Sequence, residues 1–383
     1  MIYLDNNATT KPFQEVVDSM IQFMTSRYWN ASSAYGQFDG LEEIVDSAKA
    51  SVRMLAGAAP DDEVVFTSGA TESNVWVVAE GARKAMNSGW VLSSQIEHPS
   101  ISESFENLHK QGIDVRYIPV TRYGTFDLDK LTDLVDPDLC FASLMLAHNE
   151  TGVIQPLREA ALIIRDRAPQ CLIHSDATQA IGKVSVSFSD ELCEVDLISF
   201  SGHKFHGPKG IGGLVIRNGT QIQPLIRGGG QQNNLRSGTL NIPAIAGISL
   251  AAAKSWERLH TNQGISIQAV RDHFEKRLFT LFPDAYILGS NVLRLPNTSF
   301  FGIPGSDAED LVHALAVERI VLSKGSSCSN QSIQPSLVAQ MMSYSYEKAS
   351  TLLRFSASLE NTCQEVDRLI DKLHELLNPA SHP

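Results

Sequence analysis

Between residues 63 and 216 the chain alternates short apolar runs with stretches of helical spacing. The runs fall at 63–66, 91–93, 113–118, 139–147, 171–173, 195–200 and 211–216, each bounded by polar or glycine-rich turns. Such runs predict buried strands. Residues 74–86 and 157–167 carry helical periodicity between them. Ahead of them Leu41, Ile44, Val45, Ala48, Val52 and Leu55 share one helix face, with Gly57 placed to end it. Strands buried on both faces and joined by helices predict an α/β fold with a mostly parallel central sheet flanked by helices. In such a sheet the ligand site lies at the carboxyl ends of the strands. The polar clusters sit there: 68–73, Glu97-His98, His148-Asn-Glu150, Asp176-Ala-Thr-Gln179 and Ser201-Gly-His-Lys204.

From about residue 220 the texture changes. A polar, glycine-rich stretch from Arg227 to Thr239 precedes helical patterns at 243–260 and 266–282. Strand-like segments at 298–303, 320–323 and 352–356 then alternate with helical ones at 306–318 and 362–378. Thr362 and Glu365 open the last as a capping-box pair. This predicts a smaller α+β domain after the large one. The expected division is a large domain over 15–250, and a small one made of 1–14 plus 251–383.

Composition narrows the function. With 43 acidic and 31 basic side chains the net charge is −12, which argues against direct nucleic-acid binding. No apolar run is long enough to span a membrane. The N-terminal residues have neither a basic nor an apolar stretch, so a cytoplasmic location is expected. Five cysteines at 140, 171, 193, 328 and 363 show no CxxC, which fits a reduced compartment and disfavours a disulfide framework or zinc site. Cys140 and Cys171 lie within apolar runs and read as buried thiols. Cys193 and Cys363 have no chemical context. The H-x-x-H of His203 and His206 lacks carboxylate or thiol company, so no metal is expected. Met20, Phe23 and Met24 read as helix packing, and Glu42-Glu43 as a solvated face.

Lys204 follows a buried strand and is flanked by Ser, His and Gly, a setting that suits Schiff-base chemistry. Asp176, at the end of another strand, is placed to face the ring nitrogen of pyridoxal phosphate. Gly69-Ala70-Thr71 at a strand-to-helix junction would offer amides to its phosphate, and His98 a ring to stack on its pyridine. Each element is weak singly, and their order along one sheet is the signal.

These segments make the chain resemble cysteine desulfurases of the NifS/IscS type, in the class V, fold-type I aminotransferase superfamily. The resemblance runs from Tyr3-Leu-Asp-Asn-Asn-Ala-Thr-Thr10 through Thr67-Ser-Gly-Ala-Thr-Glu-Ser73 and the strand-end clusters. It continues through Gly207-Pro-Lys-Gly-Ile-Gly212, Arg236-Ser-Gly-Thr239, Gly325-Ser-Ser-Cys328, Gln334-Pro-Ser336 and Leu353-Arg-Phe-Ser356. It implies a homodimeric pyridoxal 5'-phosphate enzyme that converts L-cysteine to L-alanine and leaves a persulfide on Cys328. By the same resemblance Lys204 carries the cofactor and shuttles the α-proton, while His98 stacks and assists proton transfer. Asp176 pairs with the ring nitrogen and Gln179 with the phenolic oxygen. Ala70, Thr71, Ser201 and His203 hold the phosphate, with Thr239 reaching in from the partner subunit. Asn149 contributes to the cofactor site and, with Arg354, holds the substrate carboxylate. Cys328 is the nucleophile, on a small polar stretch suited to a moving loop.

The sequence departs from the family pattern in places. Asn30-Ala-Ser-Ser-Ala-Tyr-Gly36 lacks the usual proline and histidine. Lys324 stands where serine is common and is placed four residues ahead of Cys328 to help activate it, and Leu359 stands where a second arginine is often seen. The tail after Glu375 is shorter than the one by which housekeeping members engage an iron–sulfur scaffold. The sulfur acceptor is therefore open among iron–sulfur assembly, thiolated tRNA, a thio-cofactor and modified DNA, with the acidic chain favouring a protein acceptor. Two alternatives stand beside the desulfurase: a selenocysteine or cystine lyase needing no protein thiol, and a regulatory protein without turnover.

Overall fold

The computed structural model describes residues 1–86, 89–261, 265–324 and 336–378. The chain begins β1 (Ile2–Tyr3), α1 (Gln14–Thr25), α2 (Ala34–Phe38), α3 (Leu41–Ala56), β2 (Glu63–Thr67) and α4 (Ala70–Ala85). There follow β3 (Trp90–Ser94), α5 (Pro99–Lys110), β4 (Asp114–Ile118), α6 (Leu128–Leu134), β5 (Leu139–Ser143) and α7 (Leu157–Arg167). Then come β6 (Leu172–Asp176), β7 (Leu197–Ser201), β8 (Gly212–Ile216), α8 (Ile242–His260) and α9 (Ile265–Leu281). The remainder is β9 (Tyr286–Ile287), β10 (Thr298–Gly302), α10 (Ala308–Val317), β11 (Ile320–Val321), α11 (Leu337–Met341), α12 (Tyr346–Ser350), β12 (Leu352–Ser356) and α13 (Cys363–Leu377).

β2 to β8 form one seven-stranded sheet in the order β2-β8-β7-β6-β5-β3-β4. All its pairings are parallel except those of β8, which runs antiparallel to both β7 and β2. The link from β7 to β8 is too short for a helical crossover, so the chain must turn back on itself. β6, β7 and β8 are buried along their whole length, as strands covered on both faces must be. One apolar layer packs Trp76, Val77, Phe105 and Phe141 from the side of α4 and α5. A larger one joins the opposite face to α1, α3, α7 and α8.

The expected 139–147 strand pairs only to Ser143. Beyond it the backbone still follows β6, Leu144 N–H donating to the His174 carbonyl and Leu146 N–H to that of Asp176, before turning at Asn149. Helix α8 is continuous through residue 250. A separate core joins Ile2 and Leu4 to α9, α10, α13 and the β12-β10-β9 sheet, with Phe274 stacked on Phe355 at 4.2 Å. The capping box of Thr362 and Glu365 is present in both directions.

The reading of Met24 as packing fails: Phe23 is buried, but Met24 points to solvent. Cys171 is buried and its thiol is pushed far above its ordinary range by desolvation. Cys140 is only partly covered, with its Sγ near the Asp138 carbonyl, because alternate positions of β5 face opposite sides.

Candidate active site

A cavity of about 420 Å3 opens where β2, β6 and β7 end and α4 and α5 begin. Ala70, Thr71, His98, Asn149, Asp176, Gln179, Ser201, His203 and Lys204 all line it, so clusters separated by up to 134 residues meet in one place. A wider groove of about 870 Å3, bordered by Arg158, Lys183 and Arg294, holds no comparable convergence of lysine, carboxylate and imidazole.

Each group arrives for a local reason. Strand β7 ends at Ser201 and one turn of 3-10 helix, Gly202–Lys204, swings Lys204 back over the sheet edge. Its Nζ donates to the carbonyls of Asn7 (2.6 Å) and Ala8 (2.8 Å), so the N-terminal strip forms one wall. Asp176 is the last residue of β6, and its Oδ1 accepts from Thr178 N–H at 2.9 Å. His98 is the N-cap of α5, its Nδ1 accepting the Ser100 N–H at 3.1 Å, with Pro99 in the first turn. At the start of α4 no side chain caps the helix, because Gly69 occupies the N-cap. The first-turn amides and the positive end of the helix dipole therefore face the cavity with capacity for an anion. A Cβ on Gly69 would lie 3.8 Å from Ser201 Oγ, so the glycine leaves a hollow beside that hydroxyl.

Cations crowd this end. Lys204 and Lys209 line the cavity, and burial, aided by their charges, holds His203 down to about 4, a neutral imidazole whose Nδ1 meets Thr9 Oγ1 at 3.1 Å. His98 is also lowered, first by burial and then by Lys204, with Asp176 opposing. Gln179 donates to the Asn7 carbonyl and accepts from Lys183. Burial and the charges of Lys204, Arg354 and Arg258 drive Lys183 well below the ordinary lysine range.

Other expected residues sit apart from the cavity. Arg354 is buried on β12 and pairs with Asp5, while its Nη1 donates to the Asn149 carbonyl at 3.1 Å, directly behind the wall. Thr239 is exposed and does not line the cavity of its own chain. Cys328 lies outside the described residues. Lys324, the last described residue ahead of it, pairs with Glu309 at 2.8 Å, so its charge is already matched. Leu359 packs against the second core. His203 and His206 turn to different partners, Thr9 and the Lys11 carbonyl.

The sequence reading missed Asn7, which binds Asn149, Thr298, Asn297, Lys183, Gln179 and Lys204 through main-chain and side-chain atoms. It also missed Asn74. The Asp5-Asn6-Asn7 run right after a short apolar segment was the available signal.

An uncapped helix N-terminus, a hydroxyl beside it, a lysine amine and a carboxylate at a neighbouring strand end fit a phosphorylated pyridine aldehyde. The chain belongs to the class-V aminotransferase family, whose model matches residues 2–369. Within that family it is similar to a cysteine desulfurase of Cereibacter sphaeroides, 36% identical, with 98% of this chain and 96% of that one covered. A solved NifS-like protein superposes with a TM-score of 0.91 at 35% identity, covering 98% of this chain and 99% of its own. A solved structure of SspA in complex with cysteine gives 0.81 at 25% identity, covering 94% of this chain and 100% of its own.

Proposed function

We propose that the chain is a pyridoxal phosphate-dependent cysteine desulfurase, a homodimer that moves sulfur from L-cysteine to Cys328 and on to an acceptor protein. The observation that carries it is the meeting of Lys204, Asp176 and His98 in one cavity beside the bare start of α4. When bound, pyridoxal phosphate withdraws electrons from an attached amino acid and so loosens bonds at its α- and β-carbons.

The chain's own groups do the rest. Ala70, Thr71, Ser201 and His203 would hold the phosphate, a dianion matched by the α4 amides and the Lys209 charge. Asp176 would hold a proton at the ring nitrogen, Gln179 would reach the phenolic oxygen, and His98 would cover the ring. Lys204 Nζ would anchor the cofactor and would take and return the substrate's α-proton. Asn149 and, behind it, Arg354 retain the substrate carboxylate. Cys328 attacks the substrate sulfur as a thiolate: a sulfur–sulfur bond forms and the Cβ–sulfur bond breaks. The electron pair stays with the carbon skeleton, which takes up a proton and leaves as alanine. Thr239, exposed on its own chain, reaches the partner's phosphate. The net charge of −12 favours a basic protein as sulfur acceptor.

Full-length similarity to cysteine desulfurases favours this reading over a selenocysteine or cystine lyase. Replacing Cys328 by Ala decides between them. The variant is expected to keep the cofactor's visible absorption but lose cysteine-dependent alanine formation. Undiminished turnover means a lyase.

A further inference from the structure

Asn74 lies on α4, one turn in from the phosphate-facing residues, and is fully buried without lining the cavity. Its side chain has three close partners from three other elements. Nδ2 is 2.8 Å from Asp176 Oδ2 and 2.9 Å from Ser100 Oγ, and Oδ1 is 2.6 Å from Ser199 Oγ. The hydrogens can be placed by elimination. A carboxylate only accepts, so the atom facing Asp176 is the amide nitrogen. Oδ1 then faces Ser199, whose hydroxyl must donate. The second amide hydrogen goes to Ser100 Oγ, leaving that hydroxyl its own hydrogen to give. The partner remaining for it is His98 Nδ1, 2.9 Å away, which already accepts the Ser100 main-chain N–H. Two donors on Nδ1 put the neutral ring's proton on Nε2.

We propose that Asn74 is a positioning residue that acts on both sides of the cofactor site at once, fixing the Asp176 carboxylate directly and the His98 tautomer through Ser100. The inference deepens the proposed function, since it assigns how that site is kept in its working protonation state. His98 enters the reaction neutral, with Nδ1 occupied and Nε2 as the nitrogen that gives or takes a proton. Protonation at Nδ1 would set an N–H against the Ser100 N–H, and Lys204 on the same cavity adds a like charge. Asp176 is the facing group that opposes this, and the amide bridge holds it in place. Thr178 N–H takes the other carboxylate oxygen, so neither oxygen is left to rotate towards His98.

The direct test is nitrogen NMR of the full-length chain labelled at histidine, with and without pyridoxal phosphate, the His98 signals assigned by loss in His98→Gln. Between pH 6 and 8 the expected pattern is an unprotonated Nδ1 and a protonated Nε2. A proton on Nδ1, or an imidazolium at neutral pH, would overturn the proposal. Because the measurement also works on the cofactor-free chain, it stands or falls separately from the desulfurase reading. In the loaded enzyme, Asn74→Ala is expected to lower kcat about tenfold with little change in KM, and to shift the pH midpoint of the cofactor's visible band. Ser100→Ala should reproduce the fall in kcat without that shift, because Asp176 keeps its amide donor, and Ser100→Thr should restore kcat. A merely structural Asn74 would lower the melting temperature and leave the midpoint where it was. Should Asn74→Ala fail to fold, the Ser100 pair and the wild-type tautomer still decide.

Discussion

Lys204 and Asn7 are 197 positions apart, yet the amine donates to the main-chain carbonyls of both Asn7 and Ala8. In the proposed reaction, removing the amine removes both the anchor for the cofactor and the base for the α-proton. Lys204→Ala is expected to lower cysteine turnover on the order of a thousandfold, with the visible band of the bound cofactor altered. Its melting temperature should stay close to that of the parent, since the hydrogen bonds from the amine to the Asn7 and Ala8 carbonyls are only partly buried. Turnover within tenfold of the parent would remove Lys204 from the chemistry. At this scale much was legible in the sequence. Lys204, Asp176, His98 and Gln179 each follow a short apolar run, and a strand end converts such a position into a cavity wall. Asn74 was not legible, because it sits inside a helical stretch and its partners lie 26, 102 and 125 residues away. Nothing local distinguishes it from a solvated asparagine. Met24 and Cys140 were misread for a related reason: apolar company in sequence does not say which face a side chain takes.

Among the elements, β8 shows what periodicity leaves out. Its apolar run reads like those of the parallel strands, and only the brevity of the segment after Lys204 betrays the reversal. That hairpin brings Gly212 against the start of α4. A Cβ there would lie 2.4 Å from the Phe200 carbonyl and 2.8 Å from Gly69 Cα. Gly212→Ala is therefore expected to destabilise the chain by about 2 kcal/mol and to weaken cofactor retention, because the same push moves the anion-binding helix start. Thermal melts and cofactor titration check this. Unchanged values in both would mean that β8 does not set the position of α4. The capping box of α13 is the simpler case, fully legible from Thr362 and Glu365. Thr362→Ala should cost about 1 kcal/mol, read as a lower urea midpoint, without affecting activity.

Across the whole molecule, buried ionisable groups set an expected pH window for stability. Burial holds His148 to about 3 and His174, His203 and His206 to about 4. Below about pH 6.5 the unfolded chain takes up these protons before the folded chain does, so stability falls as the pH drops towards 4. Glu97 acts the other way, because burial raises its carboxyl to about 8. The folded chain keeps that proton after the unfolded chain has lost it, so this contribution fades as the pH rises through 8. On the acid side these imidazoles, with the lowered His98, outweigh the raised carboxyls of Glu97 and Glu150, so the cofactor-free chain loses stability below about pH 6.5, while the lowered Lys183 offsets Glu97 on the alkaline side. Urea midpoints from about pH 4.5 to 6.5 check it, and Glu97→Gln should steepen their fall towards acid. A midpoint that stays level between about pH 6.5 and 4.5 would contradict the assignment.

The most direct measurement joins both halves of the site in one reaction. The cofactor-loaded protein is mixed with a few equivalents of L-cysteine, alanine is quantified, and the peptide containing Cys328 is weighed without reductant. The expected result is one added sulfur atom on that peptide for each first-turnover alanine, with both products absent in Cys328→Ala. Alanine and free sulfide appearing at the parent rate in that variant would contradict the central claim.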